Sequence, residues 1–383
     1  MRPLEGIRVI EFCSVAAGPF CGMLLADMGA DVIKVENPDG GDTMRQWPPI
    51  TAGYSENFAS LNRNKRSVIL DLKDTEDNKR ASALIRSANV VLENNRPGVM
   101  KRLNLHYEAM SADKRDLVYC SISAFGQEGP RSREAGFDLT LQAMSGVMSV
   151  TGMPETPPVK CGVPISDFST GLYGAFAIVA AINAVRDGKG GTHIDASMFG
   201  ASLAVGALQT SEYFGSGRDP VNMGSAHPRN APYQAFRAKD GYFSMAAGNN
   251  ALYRAACDAI ARPDLASDLR FSSTALRATN QIELLQILEK EFASYSADEL
   301  LRRFRSAGVP CAPINSYSDA LADPQVASMG WIQPIMLPSG IETKTFVSPL
   351  RFSGRGFPVY RNPPELGEHN DEIFGSIVIA DTL

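Results

Sequence analysis

At 383 residues, 44% hydrophobic and 21% charged, the chain is long and apolar enough for two domains with substantial cores. Its net charge of −5 excludes the surplus of Lys and Arg that non-specific nucleic-acid binding needs, although a polyphosphate ligand would still require a local basic cluster. The six cysteines (Cys13, Cys21, Cys120, Cys161, Cys257, Cys311) show no CxxC spacing, and the four histidines form no HxxxH pair. Neither a disulfide framework nor a bound metal is therefore expected.

In chain order, residues 6–13 read as a strand, 17–29 as a helix entered through Gly18-Pro19, and 31–36 as a second strand. That is one βαβ unit of about 30 residues. A strand at 67–72, a helix at 75–88, a strand at 89–93 and another at 117–122 continue the alternation, which predicts an open α/β sheet. The first βα turn, Cys13-Ser-Val-Ala-Ala-Gly-Pro, lacks the GxGxxG of a dinucleotide-binding fold, so the rival reading as a dehydrogenase is disfavoured. Residues 206–235 contain a Gly/Pro/Asn/Ser-rich stretch and read as a linker. A smaller α/β unit follows, with a strand at 242–246, helices at 250–261, 279–294 and 297–307, and a strand from Cys311. Beyond about 331, frequent Pro and Gly predict short strands.

Glu5, Arg8 and Glu11 interrupt the N-terminal apolar residues, so no signal peptide is expected. The longest apolar run, 171–185, falls short of the roughly 20 residues a membrane span needs. A soluble, cytoplasmic protein with buried free thiols is the expectation.

Asp167 opens that apolar run, among Ser166, Ser169 and Thr170. A carboxylate there meets unpaired N–H groups and the positive end of the helix dipole, both of which favour its ionised form. Two readings fit: an Asp that only caps the helix, or a carboxylate nucleophile.

Several stretches occur together in one order. They are PLEGIRVIEF from Pro3, AAGPF from Ala16, LADMGADVIKVE from Leu25, GDTMR from Gly41 and NKRS from Asn64. LENNRPGVM from Leu92, AFGQEGP from Ala124, GFDLTLQAMSG from Gly136, DPQV from Asp323 and ELGEH from Glu365 follow. Over nearly the full length this order resembles the class III CoA-transferases, which include the formyl-CoA and carnitine-CoA transferases, and Asp167 matches the family's catalytic aspartate.

The resemblance implies a Rossmann-like large domain built from both chain ends (1–205 and 331–383), a linker over 206–235, a small inserted α/β domain over 236–330, and an interlocked homodimer. It implies coenzyme A and acyl-CoA as substrates rather than a permanently bound cofactor, and no membrane partner. Asp167 would attack the donor thioester to give an aspartyl mixed anhydride, then an aspartyl-CoA thioester. Val15 and Ala16 would lie beside the thioester. Lys65, Arg66, Arg96 and Arg102 are the cations available to CoA phosphates, with Asn94 and Asn95 beside them, and Asn95 stands where the family usually has Phe. Arg45, Trp47, Gly248 and Asn249 match substrate-pocket or lid positions; for Gly248-Asn249 a simple strand-to-helix turn with an Asn cap is equally readable. Phe137 occupies the position of the histidine that acts as acid/base in the related acyl-CoA racemases and cannot move a proton, which favours transfer over racemisation. A non-catalytic CoA- or nucleotide-binding protein stays open as a third reading. Trp47 and Arg45 point to a small dicarboxylate or hydroxy acid as acceptor, with succinyl-CoA as donor.

Overall fold

The computed structural model describes residues 2–375. It divides into two compact units. One runs through Val147, resumes over Lys160–Arg218 and again from Gln325; the other takes Met148–Val159 and Asp219–Pro324.

The first unit is built on six parallel strands: β1 (Arg8–Phe12), β2 (Asp31–Glu36), β3 (Arg66–Ile69), β4 (Val90–Glu93), β5 (Val118–Ser123) and β6 (Thr192–Ser197). Their spatial order is β3-β2-β1-β4-β5-β6. Strand order reverses between β1 and β4, and in open parallel sheets ligands bind at the carboxyl ends of the strands at that switch point. Alternate residues of β1 serve opposite faces: Val9 joins the core under helix α1 (Ala17–Asp27), and Ile10 and Phe12 join the core under helix α2 (Thr75–Ser87). Two-sided burial is why these strands read as near-continuous apolar runs.

Two further helices set the site: α3 (Asp138–Met144) and α4 (Ile165–Arg186). Helix α4 lies against α1 because its contact face carries Gly171, where an added Cβ would sit 2.9 Å from the Ala17 carbonyl oxygen. The ring of Phe168 packs on Phe20, with centroids 4.6 Å apart. At 22 residues α4 is longer than the apolar run that announced it, and by length and composition it could cross a membrane. Its Gly171, Gly174, Ile178 and Ile182 are instead buried against the α/β core.

The stretch expected to be a linker contains regular structure. Helices α5 (Met198–Val205) and α6 (Ala207–Ser216) precede it or fill its first part, and a strand, Tyr233–Arg237, closes it. Gly206 and Gly217 bound α6, so the unstructured stretch is confined to the residues after Gly217. In the second unit, Tyr233–Arg237, Tyr242–Ala246 and Cys311–Pro313 form an antiparallel sheet over a core centred on Phe236, Phe243, Phe292 and Phe304. The expected short strands after 331 are a hairpin, Ile332–Met336 with Glu342–Phe346. Residues 376–383 of the expected return segment lie outside the described residues.

Candidate functional site

The carboxyl ends of β1 and β4 are tied by side chains of the two turns that follow them. The Ser14 N–H donates to Asn94 Oδ1 (3.0 Å) and Asn94 Nδ2 donates to the Ser14 carbonyl (2.8 Å). The Asn95 N–H donates to Glu93 (2.8 Å), a buried carboxyl that burial pushes up to about 7. Gly18 is required beside this crossing, since a Cβ there would lie 2.4 Å from Cys13 Sγ.

Val15 adopts φ +69°, a left-handed conformation that a β-branched residue takes only under constraint. The constraint is Asp42, which accepts the Val15 N–H through both carboxylate oxygens (3.0 and 3.2 Å). Asp42 is paired in turn with Lys34 (3.0 Å), and Lys34 also reaches Glu11 (3.1 Å) and the Cys13 carbonyl (2.6 Å). Lys65 pairs with the same Glu11 at 2.8 Å. None of these four side chains meets solvent. Burial raises the Asp42 pKa, but Lys34 and the N–H donors outweigh it and hold the carboxyl below its ordinary value. For Lys34, burial is likewise outweighed by Asp42 and Glu11, and its ammonium is held above the usual range.

A pocket of about 360 Å³ opens over this crossing. It brings together Val15, Ala16, Asn94, Asn95, Arg96, Phe137 and Asp167. Asp167 occupies the first turn of α4, yet it caps nothing. The Ser166 N–H, left open by the start of the helix, donates instead to Asp138 of α3 (3.0 Å). Among the described residues no hydrogen bond or ion pair is formed by the Asp167 carboxylate. Burial, followed by the negative charge of Asp138, pushes its pKa up to about 7. That corrects the expectation that a helix start would hold this carboxylate ionised: desolvation without a partner outweighs the dipole.

A second pocket, about 720 Å³, adjoins the first through Phe12, Ser14 and Asn95 and is lined by Arg102, Lys73 and Leu72. Lys73 carried no motif and was missed in the sequence.

Four expected site residues go elsewhere. Lys65 is locked in the buried network, so its ammonium cannot meet a phosphate. Arg66 lies on the edge strand β3, paired with Asp31 and with Glu372 (2.7 Å). Arg45 holds Glu36 (2.7 and 2.8 Å) and the Pro364 carbonyl (3.1 Å) with its guanidinium over the Phe58 ring, which makes it a structural tie. Trp47 is part-exposed on its loop, and its carbonyl accepts from Ser55 Oγ; it does not line the Asp167 pocket. In the second unit, Asn249 is the N-cap of helix Asn250–Ala259 and accepts the Leu252 N–H, while Gly248 packs beside Asn230. The buried network itself escaped the sequence reading, although Lys34 in the middle of an apolar strand was its visible mark.

The family described as CoA-transferase family III matches residues 4–370. The chain is 39% identical over 98% of its length to the succinate–glutarate CoA-transferase of Agrobacterium fabrum, spanning 96% of that protein. It is 35% identical, over its full length and 87% of the relative, to human succinyl-CoA:glutarate CoA-transferase. It is 37% identical over 96% of its length to the acetyl-CoA:oxalate CoA-transferase of Acetobacter aceti, spanning 93% of it. Among solved structures, a CAIB/BAIF family protein from Brucella suis superimposes with a TM-score of 0.85 at 38% identity, covering 97% of this chain and 98% of that one.

Proposed function

From the premise that the chain belongs to CoA-transferase family III, and so moves CoA between an acyl-CoA and a carboxylic acid, we propose that Asp167 is its nucleophile and a dicarboxylate its acceptor. The observation that carries the first part is an unpartnered, half-buried carboxylate in a pocket at the switch point. An Asp167 oxygen attacks the thioester carbonyl and CoA leaves as thiolate, giving a mixed anhydride. The thiolate returns to the aspartyl carbonyl and releases the donor acid, leaving an aspartyl-CoA thioester. The acceptor carboxylate then attacks that thioester, and the thiolate closes the cycle on the new acyl group. Charge developing on the carbonyl oxygen calls for N–H donors, and the uncapped start of α1 at Ala16-Ala17 lines the same pocket. The chemistry needs no resident cofactor.

The adjoining pocket with Arg102 and Lys73 suits the nucleotide end of CoA, whose phosphates need cations. Phe137 in the Asp167 pocket offers no acid/base group, which favours transfer over racemisation. Dicarboxylate acceptors are favoured by the names of the relatives, and succinyl-CoA is the donor to try first. Exchange assays with succinyl-CoA against glutarate, oxalate, a hydroxy acid and a monocarboxylate test this. Turnover confined to the monocarboxylate would overturn the acceptor class.

The domain layout and the interlocked homodimer belong to the same reading. Helix α4 leaves Phe176 74% exposed and α6 leaves Phe214 82% exposed, beside Leu172 and Leu208. Apolar rows of this size suit a second copy of the chain. Interlocked protomers should lose secondary structure as they dissociate; light scattering and circular dichroism that found a folded monomer would refute the interlock. A cytoplasmic location fits six unpaired cysteines.

A further inference from the structure

Asp138 stands next to the pocket without lining it, and both of its carboxylate oxygens are engaged. Oδ1 accepts the Ser166 N–H at 3.0 Å, and Oδ2 accepts from Gln142 Nε2 at 2.7 Å. Gln142 is fully buried, and its own Oε1 accepts the Cys161 N–H at 2.8 Å. The chain Cys161–Gln142–Asp138–Ser166 thus runs from the segment entering α4, through α3, back to the first turn of α4. From the other side, Ser202 Oγ donates to Ser166 Oγ (2.8 Å), and Thr170 Oγ1 donates to the Ser166 carbonyl (2.6 Å). Ser166 is the residue before the nucleophile, is fully buried, and is held from three directions.

We propose that Asp138 is a positioning residue for the transfer reaction, fixing the first turn of α4 through Ser166 and acting by its negative charge on the neighbouring Asp167. The proposal rests on the reading of Asp167 as nucleophile. Among the described residues, Arg96 and Glu134 are the other charged groups lining the Asp167 pocket; the first turn of α4 has no other acid, and that of α1 has none. A like charge makes a carboxylate more basic, and a more basic carboxylate is the better nucleophile once ionised. Holding the turn from outside also explains why the Asp167 oxygens remain free. Had Asp167 capped its own helix, its lone pairs would face backbone N–H groups instead of a thioester.

Three variants separate position from charge. Asp138→Ala removes both and should lower kcat about 100-fold with little change in KM, the cost of a slightly misplaced reacting group. Asp138→Asn can keep the acceptor for Ser166 but loses the charge. The pH inflection of kcat/KM should move to lower pH by about one unit, and the plateau above it should fall about 3-fold. Asp138→Asn combined with Gln142→Glu rebuilds the hydrogen-bond chain with the charge one helical turn further on. It should recover kcat relative to Asp138→Asn alone while the inflection stays shifted. All rates are referred to active sites counted by intact-mass detection of the covalent CoA adduct. If Asp138→Ala only lowers thermal stability, and its kcat per active site and pH profile match the unaltered enzyme, the proposal is wrong. A covalent adduct mapped to a residue other than Asp167 would instead sink the nucleophile reading, whatever the Asp138 variants do.

Discussion

Two sets of carboxylates flank the switch point, and they have been treated in opposite ways by the same fold. Glu11 and Asp42, behind the first βα turn, are sealed from water and matched by Lys34 and Lys65, with Asp42 also taking the Val15 and Met44 N–H groups. Asp167, in front of that turn, is half-buried and has no partner among the described residues, and the charge that acts on it is that of another carboxylate, Asp138. The Asp42 carboxyl ends up below its ordinary pKa and the Asp167 carboxyl is pushed up to about 7. Burial alone does not decide what a charged residue becomes. Compensated charge makes a rigid wall, here one that holds Val15 in a strained conformation; uncompensated charge is free to react.

The largest effect should follow from removing the uncompensated charge. Asp167→Asn should reduce transfer by at least about 10³-fold, and a covalent CoA adduct should no longer be detected by intact mass. A cap would tolerate Asn nearly as well as Asp, so near-normal turnover would return Asp167 to a structural role. Stability should move the other way. With its folded-state pKa raised, Asp167 stays protonated in the native state between about pH 4 and 7 while it ionises in the unfolded chain. The native state then binds more protons than the unfolded one, and its stability falls as pH rises through that window. Asp167→Asn avoids this loss. Its Tm should match the unaltered enzyme below about pH 4, rise relative to it up to about pH 7, and stay ahead above that.

Removing a member of the compensated set should do the reverse. Lys65→Met leaves Glu11 short of a partner, and breaking a buried pair from one side costs about 3–5 kcal/mol. Chemical denaturation would measure that loss, while the folded fraction should keep its KM for acyl-CoA because Lys65 lines neither the Asp167 pocket nor the one adjoining it. Arg102→Ala is the counterpart: unchanged stability and a KM for succinyl-CoA raised about 10-fold. If Lys65→Met raised KM and left stability alone, the two regions would have been confused.

The difference between the regions was only half visible in the sequence. The βαβ alternation and the apolar run after Asp167 have periodicity and turn chemistry of their own, so β1, α1, β2 and α4 were legible, as was the place of Asp167 in the first turn of α4. Lys65 and Arg45 were misread because a basic residue in a motif looks the same whether it meets a phosphate or a buried carboxylate. Only the approach of Glu11 from 54 positions away, or of Glu36 from 9, distinguishes the two. Asp138 opens α3, yet the N–H it caps, that of Ser166, lies 28 residues later in the chain, at the start of α4. Capping patterns read locally cannot show a cap supplied by another helix. The helix α6 was hidden because Gly and Ser near its end outweighed its apolar spacing.

The smallest expected effect is none at all, and it tests whether any group besides Asp167 in the front pocket does chemistry. Racemisation needs an acid/base at the α-carbon of the acyl group. Phe137, 73% exposed and lining the Asp167 pocket, has no proton to move. The adjacent Asp138 does not line that pocket, and its oxygens already accept the Ser166 N–H and Gln142 Nε2, which places it away from a carbon-bound proton of the acyl group. Arg96 and Glu134 line the pocket too, but a guanidinium stays protonated and is no base, and the Glu134 carboxylate is paired with Arg131 at 3.0 Å. Incubation with a 2-methylacyl-CoA in D₂O should therefore leave the α-position unlabelled over many transfer cycles, read by NMR or mass spectrometry of the recovered thioester. Enzyme-dependent deuterium uptake would mean that Asp167, Asp138 or Glu134 also serves as a base. The division between a wall of matched charges and a single reactive one would then have to give way to a site with two working carboxylates.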